Sequence, residues 1–149
     1  MPTGTFQVIG PSLGAFFSGG IDWDTNTIKA FLFTTATTFN KDTTDFLDDV
    51  VAGEVTGTNW AVNGQTLTSC VVGVDTTNDE VEIRAADVSV ASVTLSDGKH
   101  MGIVNYTPGT NATRHVIGYC TFDVALAPQG GTLLLDFNPT EGLFKIGPY

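Results

Sequence analysis

An all-β fold, an antiparallel β-sandwich or barrel of about eight to nine strands with one or two short helices, is the class this sequence predicts. Three observations point there. Thr (23 residues), Val (15) and ten Phe suit a half-buried pleated surface, and 17 Gly supply turns. Good helix formers such as Lys, Glu, Met and Gln are sparse. Short runs of alternating polarity recur with turn signals about every ten residues. No βαβ rhythm and no fixed-period repeat interrupts that pattern.

In chain order, Met1–Gly10 is broken by Pro, Gly and Thr and reads as an extended arm. Ser12 is placed to cap a short helix through Leu13, Ala15, Phe16 and Phe17, which Gly19 and Gly20 stop. The expected organisation is therefore residues 1–20 as an N-terminal arm with a short helix, and residues 21–149 as a single β-sandwich domain. Removing Met1–Gly10 is expected to leave that domain folded. Asp22–Asn26 turns into a strand at Thr27–Thr34, apolar on both faces in its second half and so central. Thr44 is set to cap a short helix with a buried stripe of Phe46, Leu47 and Val50.

Beyond Gly64 the pattern becomes regular. Thr66–Asp75, the turn Thr76–Asp79 and Glu80–Ala86 read as a hairpin. Its return strand sets Val81, Ile83 and Ala85 against Glu82 and Arg84. Val88–Leu95 and His100–Tyr106 flank an Asp97-Gly98 hairpin signal. Arg114–Leu126, Thr132–Phe137 and Leu143–Ile146 complete the strands, with turns at Pro128–Gly131 and Asn138–Gly142. Few lysines guard these strands, which suggests edges covered by another chain.

Charge narrows the functional classes. Sixteen Asp and Glu against six Lys and Arg give a net charge of −10. Nucleic acid is not an expected partner, because phosphate contacts need clustered Lys and Arg. An anionic membrane surface is disfavoured for the same reason, and no apolar run is long enough to span a bilayer. The N-terminal residues lack the basic and apolar regions of a signal peptide.

No catalytic or metal site emerges from the spacing of reactive residues, and no cofactor is expected. Asp22, Asp24 and Asn26 open like a calcium loop, but the required later Gly and Glu are missing, so a hydrated turn is the expectation. Asp45, Asp48 and Asp49 read as a solvated helix face. Ser96, Asp97 and His100 sit too close together in one turn to form a triad, and His115 stands apart. Cys70 and Cys120 read as buried thiols behaving as small hydrophobes rather than as a disulfide. Asn111-Ala112-Thr113 is a formal glycosylation sequon in a loop. Trp23 and Trp60 read as core-edge aromatics with bonded N–H groups; the alternative is that Trp23, Trp60 or Tyr106 serves as a sugar-stacking face.

Several stretches together carry a family resemblance. They include GGIDWDTNTIKAFLF, the DFLDDV segment, EVTGTNW, the NGQTL strand opening and the DTTNDEVEIRAADV hairpin. Gly118–Asp123, Gly130–Phe137 and Gly142–Ile146 continue the series. In this order, over roughly Ser12 to Ile146, the chain resembles a family of small structural proteins of tailed bacteriophages. Trp60 replaces the family's usual Tyr, Asn63-Gly64 its Gly-Gly pair, and Ala85–Val88 shortens its acidic pair.

The resemblance implies a virion protein without enzymatic activity, assembled in the host cytoplasm. Capsid decoration (a cement protein) ranks first; a neck, tail or fibre-associated role, with glycan binding, is the alternative. The implied partners are the major capsid protein or other virion proteins, and further copies of the chain in a homo-oligomer. The apolar N-terminal residues Phe6, Val8, Ile9, Phe16 and Phe17, with Trp23, are the interface candidates, since interface hot spots favour large aromatics.

Overall fold

A computed structural model describes residues 3–107, 109–138 and 142–147 of the chain. Among the described residues, ten strands and one α-helix are arranged in chain order: β1 (Phe6–Val8), α1 (Gly10–Phe17), β2 (Ile28–Phe33), β3 (Gln65–Thr66), β4 (Val71–Asp75), β5 (Glu80–Arg84), β6 (Val88–Thr94), β7 (Gly98–Asn105), β8 (Val116–Leu126), β9 (Gln129–Leu135) and β10 (Phe144–Ile146). Every strand pair is antiparallel. The all-β class read from the sequence is the one observed.

The strands form three sheets. Five make the order β1-β8-β7-β2-β3, three make β10-β5-β4, and β6 pairs with β9 alone. The large sheet is apolar on both faces, as the continuous run Ala30–Phe33 requires. On one face Ile28, Ala30, Leu32, Met101, Ile103 and Ile117 meet Ile83, Val93, Leu133 and Leu135 from the two smaller sheets. This is the main core. On the other face Phe31, Phe33, Val104, Val116 and Tyr119 are roofed by Ile9, Leu47 and Val50.

That roof differs from the expected second helix. Residues 47–49 and 51–53 form two separate 3-10 turns, and Phe46 makes an isolated bridge to His115. Thr44 does not cap a helix; its hydroxyl accepts the Asn40 N–H at 3.0 Å. Leu47 and Val50 are buried as expected. Asp49 accepts N–H bonds from Asp45 and Phe46, and a short turn is enough to place these groups.

The N-terminal segment is likewise not a free arm. β1 pairs with β8 (Phe6 opposite Cys120, Val8 opposite Gly118), and Thr3 O accepts from Asp123 N at 2.9 Å. Gly118 is required at that crossing, because a Cβ there would collide with the Phe6 ring and the Gln7 carbonyl. Ser12 lies inside α1 and does not cap it. The hydroxyl is buried and donates to Val116 O at 2.6 Å, fastening the helix to β8. Pro11 in the first turn starts the helix instead.

One expected hairpin and one expected turn prove to be sheet-to-sheet crossings. Asp97 takes a positive φ of 57°, as an Asp-Gly turn favours, yet β6 pairs with β9 while β7 joins the large sheet. The same switch follows β8, whose successor β9 belongs to the other sheet. The expected strand Thr66–Asp75 is also split. Ser69 turns through φ 51°, so Gln65–Thr66 pairs with β2 and only Val71–Asp75 pairs with β5. The expected turn at Asn138–Gly142 falls partly outside the described residues.

Candidate functional site

The six interface candidates separate sharply once folded. Ile9 is fully buried under the large sheet and Trp23 is 2% exposed, so neither offers a face to a partner. Both are core residues because the segment carrying them is itself part of the fold. Phe6 and Val8 are half-buried in β1, and Phe6 stacks on Phe144 at 6.0 Å. Phe16 packs between Phe144 and Trp23 at 6.1 and 6.4 Å. Phe17 alone stands out into solvent, 74% exposed at the end of α1. Of the six, it is the one with the surface an interface anchor needs.

Another apolar surface was not among the candidates. β4 is the outer strand of its sheet, and Val71, Val72 and Val74 on it are each about half exposed or more. Sequence pattern could not reveal this: a Val run with apolar residues on both faces looks like a buried strand. Its neighbour β5 buries Ile83 as expected and buries Glu82 as well. Glu82 is 2% exposed and Ile83 3%. Burial of Glu82 is possible because Arg84 pairs with it directly and Lys145 of β10 approaches to 3.6 Å. Lys145 also bonds Glu80 at 2.8 Å.

Carboxylate oxygens of Asp75, Glu80 and Glu82 come within 4.8 Å of one another. Within it Arg84 pairs with Glu82, and Lys145 pairs with Glu80 and Glu82. Asp75 is further engaged by its own turn, accepting from the N–H groups of Thr77 and Asn78 and from the Asn78 amide. Those bonds, that of the Asn78 side chain first, hold its carboxyl below the usual range. Asp22–Asn26 behaves as a structured turn: Asn26 Oδ1 accepts from Asp22 N and from Asn105 Nδ2, so it faces its own chain.

Of the residues weighed for catalysis, Asp97 and His100 feel each other's charge near the start of β7, while His115 lies beside Phe46. Asp97 accepts from the N–H and hydroxyl of Thr35 and anchors that loop. His100 Nδ1 meets Thr121 Oγ1 at 2.9 Å, whereas His115 packs its ring on Phe46 at 4.7 Å. Burial pushes the pKa of both imidazoles down from the ordinary 6.5. Cys70 and Cys120 are free thiols, as expected, and burial pushes both up. Asn111 Oδ1 accepts from Arg114, closing the loop that holds the sequon.

Neither Trp forms a sugar platform. Trp23 Nε1 donates to the Arg84 carbonyl, and Trp60 is fully buried with its N–H lacking a partner. Tyr106 is engaged on its ring by Lys29 at 4.2 Å and Arg114 at 3.5 Å. Large apolar side chains are exposed on the described surface at β4 and Phe17, and also at Val62, Val124 and Leu134. No protein-family model matches the chain, and neither the curated proteins nor the solved structures contain a match.

Proposed function

We propose that this protein is a non-enzymatic bacteriophage virion component, a capsid decoration protein that adheres to neighbouring virion subunits. The observation that carries the reading is the unguarded outer strand β4 with its exposed valines. A strand edge presents unpaired N–H and C=O groups, and natural proteins ordinarily block it with Lys, Pro or a bulge. Residues 71–75 contain none of these. An edge left open in this way suits a chain whose working state is an assembly. The serial resemblance of its segments to small phage structural proteins supports the same reading.

Adhesion of this kind needs apolar burial and main-chain hydrogen bonds, and both are available at β4. Phe17 adds a large exposed anchor at a second place. The chain's charge of −10 favours attachment to a basic surface such as the outer face of a positively charged shell protein. Quantitative mass spectrometry of purified particles tests the reading. A decoration protein is expected in many copies, in fixed ratio to the major shell protein; its absence from the particles would refute the assignment.

A further inference from the structure

We propose that the free edge of β4 receives an extended, positively charged segment of a partner protein as an added strand. This rests on the adhesive reading above and names the surface and the partner's chemistry.

The geometry begins with pairing. β4 is hydrogen-bonded to β5 on one side only, in the register Val71 opposite Arg84 to Asp75 opposite Glu80. Alternate residues of such a strand turn their N–H and C=O groups outward, away from the existing neighbour. The β4–β5 register is continuous, so no bulge twists the edge away. An incoming strand would find a straight ladder of five residues. Val72 and Val74, 50% and 62% exposed, would lie on the same side and be covered by a neighbour's alternating side chains.

Charge selects the occupant. The β4–β5 hairpin carries Asp75, Asp79, Glu80 and Glu82 against Arg84, with Lys145 reaching in from β10. The hairpin thus carries four carboxylates, with Arg84 and Lys145 engaged by Glu80 and Glu82, and bonds from Asn78 and Thr77 hold the Asp75 carboxyl below its usual range. A strand rich in β-branched residues and carrying Lys or Arg would bring the missing positive charge. A second copy of this chain would instead bring another Asp75 and Asp79 to the same edge, within a molecule of charge −10.

The test uses the full chain, isotopically labelled, titrated with a synthetic peptide alternating Val and Thr with Lys at every fourth position. An otherwise identical peptide with Glu for Lys is the control. Amide shifts centred on residues 71–75 are expected. Affinity should be about tenfold weaker for the Glu peptide and also weaker in about 0.5 M salt. The double variant Val72→Lys/Val74→Lys should bind the Lys peptide about tenfold less while keeping a dispersed, folded spectrum. Asp79→Asn, which retains a residue type tolerant of the positive φ of 56° there, should weaken binding a few-fold.

Shifts centred elsewhere, equal binding of the acidic peptide, or no response at about 1 mM Lys peptide would each overturn the proposal. So would a peptide-free dimer through β4 that strengthens with salt, since the occupant would then be a second copy. Particle attachment separates this inference from the broader reading. If Val72→Lys/Val74→Lys decorates particles at full copy number, the β4 assignment fails and adhesion stands. If the wild-type chain is absent from particles, the adhesive reading itself fails.

Discussion

Trp23 and Arg84 are joined across 61 positions of sequence: the indole Nε1 donates to the Arg84 main-chain carbonyl at 2.7 Å. This bond ties the segment between α1 and β2 to the end of β5, and so links the large sheet's N-terminal approach to the three-stranded sheet. Trp60, equally buried, has an N–H without a partner. The two indoles therefore differ in what their N–H groups contribute.

Replacing each by Phe isolates that difference. Trp23→Phe removes similar volume but also a part-buried bond to the Arg84 carbonyl, whereas Trp60→Phe removes an unsatisfied donor. Trp23→Phe is expected to be the more destabilising by about 1 kcal/mol. Urea unfolding of the two variants, compared at equal m-value, measures it. Equal losses would show that the Trp23 bond contributes nothing.

Ser12→Ala tests the fastening of α1. Its buried hydroxyl makes a 2.6 Å bond to Val116 O, and removing the donor leaves that carbonyl with one partner fewer. A loss of about 1–2 kcal/mol is expected. Hydrogen exchange at Leu13–Phe17 should accelerate more than exchange in β2. A uniform change across both elements would contradict a local role.

Deletion of residues 1–9 tests whether the N-terminal segment is structural. The cut removes β1 from the edge of β8 and takes out Ile9, which is fully buried. A loss of about 3 kcal/mol or more is expected from Ile9 and the strand together. Thermal unfolding checks this, and an unchanged midpoint would restore the free arm that the sequence pattern suggested.

Acid sensitivity follows from the histidines. Burial lowers the pKa of His100 and His115 below 6.5, so the folded chain binds fewer protons than the unfolded chain around that pH. Their contribution is complete above 6.5 and is lost as pH falls from there through the lowered folded values. Glu54 works the other way: burial raises its pKa above 4.5, so its contribution is present below 4.5 and lost as pH rises through the folded value. Asp75, Asp97 and Asp123, held low by Asn78, Thr35 and the Thr3 main chain, lose their contributions only below 3.8. Melting from pH 8 to pH 5 should fall more steeply for wild type than for His100→Gln/His115→Gln. Parallel curves would remove the histidines from the account of acid sensitivity.

Alternation exposed the longer strands in the sequence because each has a face that must be buried: β2 and β5 to β9 lie close to where the pattern puts them. Connectivity between sheets was not legible. Asp97 and Gly98 do turn the chain, but a turn's local φ does not decide which strand the next one pairs with. That choice is made by the core, where Ile103 and Met101 of β7 pack with Ile117 of β8 while Val93 of β6 sits opposite. β1 was missed because Phe6–Val8 is only three residues long between Gly and Pro punctuation. The candidate site suffered in a similar way. Large aromatics signal contact, and pattern alone does not say whether the ring ends up buried inside the molecule, as for Trp23, or exposed, as for Phe17.

Hydrogen–deuterium exchange of the chain, free in solution and bound to purified particles, tests most directly whether it works by adhering to neighbouring proteins through β4. Amides of Val71–Asp75 are expected to exchange readily in the free chain and to become protected on the particle. Failure of the chain to bind particles, or binding that leaves those five amides as open as before, would contradict it.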